Sequence, residues 1–320
     1  MKIVFVGAVE EGWMALNAVL EQAEHRNDVS DIITIEDAET ASISGYRSFD
    51  GLAEKYGVAI HKIKHIRSAK SVELIKSLAP DLMIVIGWSQ LVSDEVLRLP
   101  RLGCIGLHTT LLPRHRGRAP IPWAIIKGLG KSGNTLFYFT PGVDNGDIIG
   151  QEPFYITLTD TAQSVYEKAT EAGVNLVLKY LPLIKAGTAP RIKQDEAIAD
   201  HWPKRTPADG LIDWNKPALE IHNLIRGVSH PYPGAFTYFN NKKIIIWNSA
   251  ILGENEIDLQ AQPGKILGIT KYDKGIIAGT GNGVLLLTNV QEEGGEEISA
   301  FDFAEKCNIA PGKFFKNLTE

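Results

Sequence analysis

Residues 103–151, GCIGLHTTLLPRHRGRAPIPWAIIKGLGKSGNTLFYFTPGVDNGDIIGQ, set unexplained polar side chains beside apolar strand-like runs. A buried-looking strand over 103–107 runs into His108 and then into Thr109-Thr110-Leu111-Leu112-Pro113, where the proline forbids simple continuation of the strand. A second strand over 134–140 ends in Pro141-Gly142-Val143-Asp144-Asn145-Gly146-Asp147, a turn-forming run that presents Asp144 or Asp147 at its mouth. Histidine titrates near neutrality and can accept a proton, and a carboxylate beside it can orient the ring. A lone histidine at a strand end is read as structural; an aspartate-bearing turn expected at the adjacent edge shifts His108 to a functional reading. Trp88-Ser89-Gln90-Leu91 follow another buried run, 82–86, and reach the same edge. They do not form the G-x-S-x-G elbow, so Ser89 is not read as a nucleophile. Arg114, His115, Arg116 and Arg118, next to His108, are read as an anion pocket rather than a solvated loop.

Those side chains need rigid strand ends. Apolar runs at 3–6, 32–35, 58–63, 82–86 and 104–107 alternate with helical stretches at 12–23, 49–56, 71–78 and 93–99, the last two starting at serines that suit N-caps. That rhythm predicts an α/β fold with a Rossmann-like, doubly wound, mostly parallel sheet, in which ligands bind at the carboxyl ends of the strands. Gly7 and Gly12 lie in GAVEEG, which is neither a dinucleotide fingerprint nor a P-loop, so Gly7 is expected to make a tight turn after the first strand. A further strand at 148–156 and a helix from an Asp160/Gln163 capping box to about residue 184 complete the part. The polar, proline-punctuated stretch that follows reads as a linker. Beyond it, a helix at 218–226 and short strands at 236–239, 243–248, 264–269, 275–278 and 284–287, separated by glycine turns, predict a smaller β-barrel. The domains are therefore 1–189, a linker at 190–205, and 206–320.

The chain has 320 residues, 44% hydrophobic and 22% charged, ample for two cores and inconsistent with general disorder. Two cysteines give neither a disulfide framework nor a zinc cluster, and with no secretory leader or apolar run of membrane-spanning length the expected setting is the cytoplasm, with no metal. A net charge of −5 gives no general attraction to nucleic acid.

The motif around His108 resembles that of the formyltransferases that use 10-formyltetrahydrofolate: an Asn-x-His pair, a Ser-Leu-Leu-Pro loop, an Arg-Gly segment, and Gly-x-Asp-x-Gly-Asp. The similarity continues through Arg205-Thr206-Pro207 and Ile212-Asp213-Trp214 and covers nearly the whole chain. It implies an OB-like carboxyl domain, His108 and Asp144 as catalytic, and a folate site of Gln90, Leu91, Val92, Leu111, Leu112, Pro113, Arg118, Thr140, Gly142 and Asp144. One position departs. Gly106 stands where the family has its asparagine, so an oxyanion donor must come from elsewhere: protonated His108, Gln90, Ser89, a threonine of the following loop, or a backbone N–H freed by Gly106 itself.

Among the family's acceptors, a nucleotide-linked amino sugar for a surface polysaccharide is expected over methionyl-tRNA. Residues 28–50 carry six acidic residues against Arg47 alone, and residues 205–320 hold 11 Lys+Arg and 14 Asp+Glu, a balance of −3. Pro217 to Asn223 and Tyr232 to Phe236 also look closer to the sugar branch. The other readings are a methionyl-tRNA formyltransferase, a formyltetrahydrofolate hydrolase, or a folate or nucleotide-sugar binding protein without turnover. The expected partners are these small molecules, neither nucleic acid nor membrane, with the carboxyl domain offering a homodimer surface.

Overall fold

The computed structural model describes residues 1–43, 45–253 and 262–316. In chain order its strands are β1 (Ile3–Val6), β2 (Val29–Ile35), β3 (Ala59–Ile63), β4 (Leu82–Val85), β5 (Cys104–His108), β6 (Arg116–Gly117), β7 (Lys131–Tyr138), β8 (Ile148–Tyr155), β9 (His201–Trp202), β10 (Ala235–Phe239), β11 (Lys242–Ile251), β12 (Ile266–Thr270), β13 (Gly275–Gly279), β14 (Val284–Glu292) and β15 (Glu297–Ser299). The α-helices are α1 (Glu10–Glu21), α2 (Ala23–Arg26), α3 (Asp50–Tyr56), α4 (Ala69–Leu78), α5 (Asp94–Leu97), α6 (Pro120–Ile126), α7 (Ala162–Lys185), α8 (Ala218–Gly227) and α9 (Ala300–Lys306). They form two compact units: Met1–Pro120 with Lys131–Tyr155 and Tyr166–Pro203, and Ile121–Gly130 with Ile156–Val165 and Lys204–Glu320.

The first unit is built on a seven-stranded sheet in the order β3-β2-β1-β4-β5-β7-β8. Pairing is parallel from β3 to β5 and antiparallel from β5 through β7 to β8. Continuous apolar runs such as Ile3–Val6 are buried on both faces because helices cover both. One core joins Ile3, Phe5, Ile84, Ile105 and Leu136 to α1 and α7; the other joins Val4, Val6, Met83, Val85 and Cys104 to α4. Strand order reverses between β1 and β4, the place where such folds leave a crevice. Here the chain fills it: a Cβ on Gly12 would lie 2.4 Å from the Ile86 carbonyl oxygen, and one on Gly87 2.4 Å from Val9 Cγ2. GAVEEG is packing, not a phosphate cradle.

The second unit holds the antiparallel sheet β10-β11-β14-β13-β12, with β15 on β14, around a core of Trp214, Ile246, Ile276, Leu285 and Phe303. Its two edges are joined by residues 312–316: Phe314 bridges Lys265 before β12, and Lys316 bridges Tyr238 of β10. Thus the short strands close on themselves, which removes exposed edges.

Local readings hold with small shifts. The N-cap of α4 is Ser68, three residues earlier than expected, and accepts from the Ser71 N–H; Ser93 caps α5 as expected. The stretch 190–205, expected to be a linker, is bound to the first unit through Pro203, and its β9 pairs with β6.

Candidate active site

β5 delivers His108 to the carboxyl edge of the sheet, 7% exposed. Its partner in register on β7 is Thr135, fully buried, whose hydroxyl organises the following loop. Thr135 Oγ1 donates to the Thr110 carbonyl at 2.6 Å and accepts from the Leu112 N–H at 3.2 Å and from Gln151 Nε2 at 2.9 Å. Gln151 also donates to the Leu112 carbonyl at 2.8 Å. The Leu111-Leu112-Pro113 segment is therefore tied to β7 and β8 by buried polar contacts, which are costly to leave unmade.

The second strand end supplies Asp144 from a turn with φ of 51°. Its Oδ2 lies 3.5 Å from His108 Nδ1 and accepts from the Gly117 N–H at 2.9 Å. His108 Nε2 is 2.9 Å from the His115 carbonyl oxygen. Both ring nitrogens face oxygen atoms: Nε2, beside a carbonyl, donates its hydrogen there, and Nδ1 faces the carboxylate. The 3.5 Å contact exceeds a good hydrogen bond and is the one that can open. Asp147 is turned away, 3.8 Å from Arg191, which stacks over Tyr138. Gly146 is demanded by the turn, since a Cβ there would lie 1.6 Å from the Tyr138 carbonyl oxygen.

The basic loop is only partly available to an anion. Arg116 is buried at 3% exposure and is used by Gln194 and Glu196, holding the Glu196 carboxyl below its usual range. His115 stacks on Trp202 at 4.1 Å and bonds Asp200 through Nδ1 at 3.0 Å. Arg114 and Arg118 remain exposed.

Gly106 sits inside the sheet between Val85 and Phe137. A Cβ at Gly106 would lie 2.5 Å from both the Phe139 ring and the Val85 carbonyl oxygen, so the Phe139 ring occupies the space of any side chain. Of the expected donors, Gln90 is engaged at both ends, accepting from the Ile66 N–H and donating to the Lys64 carbonyl, each at 2.9 Å. Ser89 and Leu91 are exposed. Val92 packs against the β4 core with Trp88, whose indole N–H is enclosed and without a partner among the described residues. Thr140 Oγ1 donates to Asn145 Oδ1, and Gly142 lies over the same asparagine. Burial pushes the Cys104 thiol up to about 12, which removes it as a nucleophile.

Two polar groups escaped the sequence reading. Gln194 binds the Asp144 turn from the stretch after α7. On the sheet face opposite His108, Glu11 of α1 accepts from Asn134 Nδ2 at 2.9 Å, and desolvation, offset in part by that bond, pushes its carboxyl up to about 7. Spacing could not reveal either, because their partners are 48 to 123 residues away.

Residues 1–181 match the family described as Formyl transferase and 204–308 that described as Formyl transferase, C-terminal domain. Curated relatives include the methionyl-tRNA formyltransferase of Geobacter metallireducens, 32% identical over 98% of this chain and 97% of the relative. That of Pelotomaculum thermopropionicum is 33% identical with the same coverage. Among solved structures, HypX from Aquifex aeolicus with tetrahydrofolic acid matches at TM-score 0.66 and 19% identity, covering 100% of this chain and 51% of HypX. The N-formyltransferase of Helicobacter canadensis with folinic acid and dTDP-3-aminofucose matches at 0.66 and 18%, covering 91% and 99%. At such identities these structures share a fold with the chain and no more.

The expected amino-sugar acceptor is overturned by this pattern. Six relatives named methionyl-tRNA formyltransferase are 30–33% identical over almost their full length, whereas the sugar enzymes named above and among the other neighbours share only the fold. The charge count that favoured the sugar misled for a structural reason. Five of the six acidic residues in 28–50 are paired with cations outside that run: Asp28 with Lys185 and the amino terminus, Asp31 with Lys2, Asp37 and Asp50 sharing Lys62, and Glu39 with Lys64.

Proposed function

We propose, for a chain that belongs to the formyl transferase family, that it transfers the formyl group of 10-formyltetrahydrofolate to the amino group of an aminoacyl-tRNA, methionyl-tRNA being the acceptor its relatives are named for. The observation that carries this reading is the full-length similarity to those relatives. With the acidic residues of 28–50 largely paired, the exposed Lys271, Lys274, Lys313 and Lys316 of the second unit are suited to phosphates.

The donor fits the residues at the β4 and β5 ends: apolar Leu91, Val92, Leu111, Leu112 and Pro113 for its ring system, and Arg118 for its anionic tail. Thr140 and Gly142 line the turn below. When bound, the folate supplies an activated formyl carbonyl. As the amine nitrogen bonds that carbon, its proton passes to His108, the bond to the folate nitrogen breaks, and the leaving nitrogen takes a proton in return. Asp144, fixed by the Gly117 N–H, stabilises the charged ring. No side chain at Gly106 faces the developing oxyanion, so protonated His108 and the adjacent Thr109 hydroxyl take that role.

Incubation with 10-formyltetrahydrofolate and methionyl-tRNA, followed by deacylation and mass measurement, tests this. Formylmethionine is the expected product. Formate release without an acceptor would replace the reading with hydrolysis.

A further inference from the structure

We infer that Gln194 is the positioning residue that sets the His108–Asp144 pair, an inference that rests on the formyl-transfer reading above. No sequence pattern singles Gln194 out, and it lies outside every motif around His108. Its side chain nevertheless makes four hydrogen bonds that join the two segments carrying the site. At one end, Nε2 donates to the carbonyl oxygens of Asp144 and Gly146, each at 2.7 Å. At the other, Oε1 accepts from Arg116 Nε at 3.0 Å and Nη2 at 2.8 Å.

These two ends matter because of what they hold. Asp144 has a positive φ and belongs to a turn outside any helix or strand, with Gly142, Val143 and Asn145 exposed around it, so the turn needs holding from outside. The Arg116 segment carries the His115 carbonyl that meets His108 Nε2 and the Gly117 N–H that meets Asp144 Oδ2. Gln194 thus fixes the distance between the segment that grips the imidazole and the turn that carries its carboxylate. Only a primary amide does this: its N–H₂ serves two carbonyls while its oxygen serves the guanidinium. A glutamate satisfies Arg116 but turns an acceptor toward two carbonyls. The strap carrying Gln194 is anchored beside it by Glu196 on Arg116 at 2.7 Å, by Asp200 on His115, and by β9 on β6.

The test compares wild type with Gln194→Glu, which keeps the Arg116 end and loses the donor end, and with Gln194→Met, which loses both. Methionyl-tRNA formylation is measured as kcat and KM separately. A misplacement of about 1 Å at a reacting group costs on the order of 10²-fold, so kcat should fall about 10- to 100-fold in both variants while KM for the folate changes less than about threefold. Unchanged kcat in both variants overturns the inference, as does a loss that appears equally in kcat and KM together with a collapse in melting temperature. Amide hydrogen exchange is read on the same proteins. Faster exchange at Gly117 and at 144–147 in Gln194→Glu, with β5 and β7 unchanged, is expected even if wild type formylates nothing. Absence of that difference overturns the inference on its own, and absence of wild-type turnover overturns only the proposed reaction.

Discussion

Replacing Glu11 with glutamine should stabilise the protein in alkaline solution and do little in acid. Burial under α7 pushes the Glu11 carboxyl up to about 7 in the folded chain against an ordinary 4.5, and among the described residues only the Asn134 amide donates to it. From its own helix Glu10 is turned to Arg47, and from α7 the Tyr166 hydroxyl is taken by the Glu11 N–H. Below 4.5 the group is protonated whether the chain is folded or not. Between 4.5 and 7 the folded chain keeps a proton that the unfolded chain gives up, so this contribution is lost as pH rises and is fully absent above about 7. A difference of about 2.5 pH units, at ~1.36 kcal/mol each, gives about 3 kcal/mol. Glu11 keeps part of its surface in solvent, so this is an upper figure. Urea unfolding of wild type and Glu11→Gln at pH 5 and pH 8.5 isolates it. The pH 5 difference measures the packing of the amide, and the gap in favour of glutamine should widen by about 2 kcal/mol at pH 8.5. A gap of the same size at both pH values would show that the carboxyl is solvated and refute the reasoning.

Other outcomes follow from the site. His108→Ala should lower formyl transfer by ~10²–10⁴-fold, measured as kcat/KM. Asp144→Asn keeps an acceptor for the Gly117 N–H but removes the charge, so kcat should fall while folate affinity measured by titration holds. Gly106→Asn should give no gain in turnover over wild type and should cost at least ~1–3 kcal/mol in urea unfolding, since its Cβ would lie 2.5 Å from the Val85 carbonyl oxygen. An active, stable variant would show that Phe139 yields. Thr135→Val orphans the Leu112 N–H, with an expected loss of ~1–3 kcal/mol and faster amide exchange at Leu112.

Much of the frame was readable from local pattern. Ile3–Val6 and Leu82–Val85 are apolar on both faces, which only a sheet covered twice requires. His108 at a strand end and Asp144 in a glycine-rich turn were each readable locally, but their meeting was not: β7 runs antiparallel to β5, so its carboxyl end lies beside Ile105, and only the fold of the following turn brings Asp144 within 3.5 Å of His108. The short strands of 206–320 announced a barrel, but its closure through residues 312–316 joins segments up to 78 residues apart and carries no periodic signal.

Sequence alone therefore determined the mostly parallel sheet and singled out the histidine at the end of β5 and the aspartate of the glycine-rich turn. Tertiary structure decided what surrounds them. It filled the Gly106 position with the Phe139 ring, spent Gln90 and Arg116 on partners outside their own loops, brought Gln194 onto the Asp144 turn, and paired the acidic run of 28–50 with distant lysines. The physical reason is one of range. Side-chain period and turn preference repeat along a few residues and leave a trace in composition, whereas a hydrogen bond or ion pair needs one donor and one acceptor at any separation, and only the folded chain says which two have met.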